Sequence, residues 1–113
     1  MVSYEYLPKQ QWGPVFWSCI HITCLGFSKE PTEEHKKYYS EFLRSIGMVM
    51  PCYHCVDHYK VLLQEYPPEA YMENRMRLFE WSVLVHNAVN KKKGQEEWAL
   101  SEALKQWANR YER

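Results

Sequence analysis

The 113-residue chain is predicted to be all-α, a four-helix bundle with a short fifth helix. Apolar residues recur at helical spacing in five stretches, and no stretch alternates convincingly at period two. Proline clusters at the edges of those stretches rather than inside them. The length suits one compact domain over 1–113, with 1–11 as an N-terminal extension.

The first helix is expected from Trp12 to Phe27, with Pro14 in its first turn, where a missing N–H costs little, and Gly26 and Pro31 marking its end. The second should begin after Pro31, with Thr32 as N-cap and His35 at the third helical position. Its apolar positions are Phe42, Ile46 and Val49. Pro51 breaks the chain. A shorter third helix starts at Cys52 and runs through Tyr59 and Leu63 to the Pro67-Pro68 stop. The fourth spans Glu73 to Lys93, with Phe79, Val83, His86 and Asn90 on one stripe. Lys91-Lys92-Lys93 before Gly94 is a C-terminal signal: cations at the negative dipole end, then a residue that tolerates positive φ. The last amphipathic stretch runs from Glu96 to Tyr111 and carries Trp98, Leu100, Leu104, Trp107 and Tyr111.

A formal net charge of zero argues against a nucleic-acid partner, which calls for a basic excess. No apolar run approaches the roughly 20 residues of a membrane span, so no membrane insertion is expected. The first residues carry no basic region, so no secretory leader is expected. The aromatic share of 16% is high enough to fill a core, form an interface or wall a planar ligand. Four cysteines in a chain read this way suggest metal binding or redox chemistry before a disulfide scaffold.

Cys52 and Cys55 form a C-x-x-C directly after Pro51. At a helix N-terminus the dipole and free N–H groups stabilise a thiolate, which makes Cys52 a competent sulfur for thiol–disulfide exchange. Cys52, Cys55 and His58, with His54 adjacent, also offer zinc ligands, but a second finger-like pair is missing. Cys19 and Cys24, five residues apart on one helix, are separated by about 7.5 Å of rise, too far to bridge, and should be reduced or paired between chains. Cys24 shares a face with Trp17 and His21 and reads as a small buried hydrophobe. Two readings therefore stand: a redox pair whose electrons need an acceptor such as a flavin, and a non-catalytic, zinc-stabilised helical interaction module.

Three motifs fall in one order. Trp12-Gly13-Pro14-Val15-Phe16-Trp17 with His21, Pro51-Cys52-Tyr53-His54-Cys55 with His58, and His86-Asn87-Ala88-Val89-Asn90 with Lys92 and Gly94 together resemble the Erv/ALR sulfhydryl oxidases, across Trp12 to Trp107. The resemblance implies an FAD-binding helical bundle, a homodimer that oxidises protein thiols to disulfides and passes the electrons to dioxygen. It assigns Cys52 to exchange with substrate and Cys55 to the flavin side. It places Trp12, Gly13, Trp17, His21, His58, His86, Asn87, Val89, Asn90 and Trp107 around the cofactor and Lys92 near its phosphates; no metal site is implied.

The match has departures. Many members tie the flavin-binding helix to the C-terminal segment with a structural disulfide, and the matching positions are Ser82 and Leu100. The family's Leu-Gly-Lys after the Asn is Lys93-Gly94-Gln95 here. The short form resembles the oxidases of large DNA viruses, which points to host cytoplasm or virion, with the mitochondrial intermembrane space as the alternative.

Overall fold

A computed structural model describes residues 7–111, with side chains described to Trp107. Five α-helices, with two 3-10 turns between them, account for the described regular structure: α1 Lys9–Leu25, α2 Glu33–Ile46, α3 Tyr53–Glu65, α4 Arg75–Lys92 and α5 Leu100–Tyr111. No strand occurs among the described residues. No helix there is long and apolar enough to cross a membrane.

The helix ends follow their local chemistry. Thr32 Oγ1 accepts the His35 N–H at 3.2 Å while the Thr32 N–H donates to His35 Nδ1 at 3.1 Å. This is a capping box with histidine in the place usual for Glu or Gln. Asn74 caps α4 by accepting the Arg77 N–H at 2.9 Å. The other end of α4 closes as a full Schellman motif. Gly94 takes φ +73, its N–H bonds to the Lys91 carbonyl, and the Gln95 N–H reaches back to Asn90.

Helix ends shift by a residue or two, and three larger differences from expectation have physical causes. Helix α1 starts at Lys9, so residues 9–11 of the expected extension are helical and Pro14 lies inside the helix rather than in its first turn. Residues 1–6 of that extension fall outside the described residues. Helix α5 starts at Leu100 rather than Glu96. The reason is Asn87, whose amide donates to the Trp98 carbonyl and accepts the Trp98 N–H, each at 2.7 Å. That grip occupies the backbone groups a helix would need. The third difference is the inward face of α2, which is Tyr39, Leu43 and Ile46, not Phe42, Ile46 and Val49. Phe42 is 43% and Val49 69% exposed. Both spacings are helical, and only packing distinguishes them.

Helix α4 is the central element, packed along α1 and touching α5. Leu78, Phe79, Trp81, Ser82, Val83 and Val85 are all buried, so it is enclosed on most sides rather than amphipathic. Trp81 is fully buried and satisfies its indole N–H on the Tyr66 carbonyl at 2.6 Å. Truncating such a residue to Ala costs about 3–5 kcal/mol. Helices α2 and α3 meet over the 3-10 turn Gly47–Val49. Arg44 reaches Glu69 with two nitrogens, at 2.6 and 2.8 Å, and ties α2 to the turn before α4. That pair is solvent-exposed and contributes about 1 kcal/mol or less.

Candidate functional site

A cleft of about 270 Å³ opens between α1, α3 and α4. Helix α1 supplies Lys9, Trp12, Gly13, Phe16, Trp17 and Ile20. Those positions follow the i, i+3, i+4, i+7, i+8, i+11 pattern of a single helical face. Helix α3 adds His54, Cys55, His58 and Tyr59, and α4 adds Val89, Lys92 and Lys93. The walls are mainly aromatic and aliphatic, and the Cys55 thiol and the nitrogens of His54, His58 and the lysines are among their polar groups. Gly13 widens the cleft. An added Cβ there would meet only Lys9 Cγ, at 3.8 Å, so the protein's own packing does not demand a glycine.

A second, more open hollow of about 370 Å³ adjoins the first. It is lined by Leu7, Pro8, Pro51, Cys52 and Tyr53, and it shares Lys9, Trp12 and His54 with the cleft. The two cysteines therefore face different spaces: Cys55 the aromatic cleft, Cys52 the outer hollow.

The start of α3 explains the pair's chemistry. Cys52 is the N-cap, with extended backbone, and its Sγ accepts the Cys55 N–H at 3.3 Å. Burial raises the Cys52 thiol. Hydrogen bonds from the Cys55 side chain and N–H, the charge of Lys9 and the His54 N–H outweigh it, and the net shift is downward. Cys55 moves the other way: burial first, then the hydrogen bond and charge of Cys52, push its thiol up, with Lys9 opposing. Of the two thiols, Cys52 is therefore the readier to ionise and Cys55 the readier to keep its proton. The pair is in its dithiol form, and Cys19 and Cys24 are unbridged as well. Burial drives the Cys24 thiol far up, which makes it unreactive.

Behind Trp17 lies a cluster of rings. Trp17 stacks on His86 at 4.1 Å and 7° between planes. His21 sits between His86, Phe79 and Trp107, with centroids 5.0–5.8 Å away. Both imidazoles are kept neutral. Desolvation, then the neighbouring His86, lowers His21 to about 3. Desolvation, then Lys93, lowers His86 to about 4.

A model of the Erv1/Alr family matches residues 14–111. The chain belongs to that family. A mimivirus protein from Acanthamoeba polyphaga mimivirus, named as a probable FAD-linked sulfhydryl oxidase, is 34% identical over 99 residues, covering 87% of this chain and 69% of that protein. The FAD-linked sulfhydryl oxidase Erv1 of Arabidopsis thaliana is 29% identical over 86 residues, covering 76% of this chain and 44% of its own length. The FAD-binding domain of Erv1 from Saccharomyces cerevisiae superposes with a TM-score of 0.83 at 25% identity, covering 91% of this chain and 96% of that one. This chain spans about two thirds of the mimivirus relative and less than half of the plant one.

Within this Erv1/Alr chain the site residues read from sequence fall into three groups. Trp12, Gly13, Trp17, Cys55, His58, Val89 and Lys92 line the cleft together. His21, His86 and Trp107 form the ring cluster behind it. Asn87 and Asn90 do not line the cleft. Asn87 holds the Trp98 backbone, and Asn90, 8% exposed, sits under the Schellman turn. The zinc reading finds no support. Among the described residues no three His, Cys, Asp or Glu gather at a metal site, and Cys52 opens away from the space that Cys55 and His58 share.

Sequence reasoning assigned none of Lys9, Phe16, Ile20, Met50, His54, Tyr59 and Lys93 to the cofactor, although Phe16 and His54 stand inside its motifs and Lys93 in its C-terminal cation run. For Lys9, Phe16 and Ile20 a signal was present: they continue the helical stripe of Trp12, Gly13 and Trp17, and starting α1 at Trp12 cut Lys9 off.

Proposed function

We propose that this Erv1/Alr chain is an FAD-linked sulfhydryl oxidase that makes disulfides in protein substrates, with dioxygen as electron acceptor and hydrogen peroxide as product. What carries the reading is the division of the pair, Cys55 on the wall of an aromatic cleft and Cys52 on the open hollow beside it. The cleft suits the cofactor. Trp12, Phe16, Trp17 and Tyr59 offer flat apolar faces for a ring system, Gly13 leaves room, and Lys92 and Lys93 offer cations for a pyrophosphate. Burial, then the charges of Lys92 and Lys93, lowers the His58 pKa, with Glu65 opposing. The shift favours the neutral form of His58 beside the lysines.

FAD held in the cleft that Cys55 lines would supply a two-electron acceptor. The protein's own steps are these. A substrate thiolate attacks Sγ of Cys52 in the oxidised pair, the Cys52–Cys55 bond breaks, and Cys55 leaves as a thiolate. A second substrate thiol attacks the mixed disulfide and releases the substrate disulfide with Cys52 as leaving thiolate. The features that lower the Cys52 pKa favour that departure. Lys9, which lines both spaces, offsets negative charge on either sulfur. The pair regains its disulfide as two electrons leave through the Cys55 sulfur.

A homodimer belongs to the same reading. Val15 and Ile22 on α1 and Tyr38 and Phe42 on α2 are large apolar side chains left exposed, which a second copy would cover. The experiment is oxygen consumption with a dithiol substrate. Cys55→Ser keeps FAD and loses turnover; turnover persisting in that variant removes the assigned electron path.

A further inference from the structure

The two imidazoles behind Trp17 carry their protons in a fixed order. Ser82 Oγ lies 2.6 Å from the Phe79 carbonyl oxygen. Two oxygens that close need a proton between them, and the carbonyl has none, so Ser82 donates. Its only proton is then committed, and Oγ can only accept elsewhere. His21 Nδ1, 2.8 Å away, must therefore carry a proton toward it. Being neutral, His21 leaves Nε2 bare, and His86 Nδ1, 3.0 Å from that nitrogen, must donate. His86 is neutral as well, so its own Nε2 is bare. Ser82 and His21 are 0% and 2% exposed, which denies water the chance to reverse the order. The buried thiol of Cys24 also bonds to Ser82, and while protonated its sulfur is a far weaker acceptor than the Phe79 carbonyl.

We propose that Ser82 is a positioning residue: through His21 it makes His86 Nε2 an obligate acceptor, so that a ligand reaching that nitrogen must present a hydrogen-bond donor, an amine or a hydroxyl. The proton order does not rest on the FAD reading. It also gives Ser82 a reason at a position where the resemblance places a half-cystine. A disulfide sulfur has no proton to give the Phe79 carbonyl, so a bridge there could not set this order.

The test is nitrogen-15 NMR of the imidazoles in the full chain, with and without FAD. His21 and His86 are both expected to be protonated on Nδ1 and bare on Nε2. A proton on Nε2 of His86 in the wild-type protein overturns the proposal. In Ser82→Ala, His21 Nδ1 loses its acceptor and both rings are free to turn to the Nε2–H form. Unchanged tautomers in that variant also overturn it. Ser82→Thr, which keeps the hydroxyl, should keep the wild-type tautomers. A chain that takes up no flavin sinks the oxidase reading, while the tautomers of the flavin-free protein still decide the relay.

Discussion

Two glycines separate what the fold needs from what the site needs. At Gly47 a Cβ would sit 1.9 Å from Tyr59 Cδ2 and 2.3 Å from Cγ and Cε2. Tyr59 is 3% exposed, and its hydroxyl donates to the Leu43 carbonyl, so the ring is held at both ends. Gly47→Ala must push that ring by about 1.5 Å to reach ordinary contact, an overpacking of about 1–3 kcal/mol. Loss of the Tyr59 hydrogen bond adds about 1 kcal/mol. Together they should lower the thermal midpoint by about 10 °C or more for a domain of this size. Gly13→Ala should do the reverse. Its Cβ meets nothing nearer than 3.8 Å, and removing a mid-helix glycine stabilises by about 0.5–1 kcal/mol. That methyl, however, projects at the wall of the cleft, so FAD affinity should fall while the flavin-free protein holds or gains stability. Urea unfolding of the flavin-free chain, paired with FAD titration, reads both quantities. A Gly13→Ala protein that binds FAD as well as wild type would show that the cleft is not the cofactor site. A Gly47→Ala protein of unchanged stability would refute the packing argument.

Lys9→Met should move the alkylation profile of Cys52 in the reduced protein to higher pH, because a cation that lowers both thiols is gone. The fold should hold or gain slightly, since a cation in the first turn of α1 opposes the helix dipole; an unmoved profile would remove Lys9 from the mechanism. The buried imidazoles predict acid lability. Their folded pKa values, about 3 for His21 and about 4 for His86, lie below the unfolded value of 6.5. Below that value the unfolded chain binds protons the folded chain refuses, so stability is full above about pH 6.5 and falls as pH drops toward 4. His86→Phe should flatten that fall, and an equal pH dependence in this variant would contradict the assignment.

Most of the bundle was legible because its signals are local. Thr32, Pro51 and Gly94 each act on their own backbone, and each does what its chemistry predicts. The misread parts depend on tertiary contacts. Phe42 and Leu43 are adjacent apolar residues, and only the packing of α2 against the rest of the bundle decides which points inward. Helix α5 starts late because an amide on α4 grips Trp98, a contact across eleven residues that periodicity cannot show. The cleft was legible in its aromatic and cysteine members. Lys9 was lost with the true start of α1. Tyr59 and His54 stand one helical turn from Cys55 and His58 and share their face of α3. Asn87 was legible as a polar residue needing partners, but its partner is the chain's own backbone.

The central claim is that electrons pass from Cys55 to a flavin in the aromatic cleft. The most direct test is an anaerobic titration of the purified protein with a dithiol, followed at the flavin absorbance bands. The account predicts a yellow protein that bleaches with one equivalent of dithiol beyond that needed to reduce the cysteine pair, recovers its colour when air is admitted, and fails to bleach in Cys55→Ser. A colourless protein, or a flavin that the dithiol reduces equally well in Cys55→Ser, would contradict it.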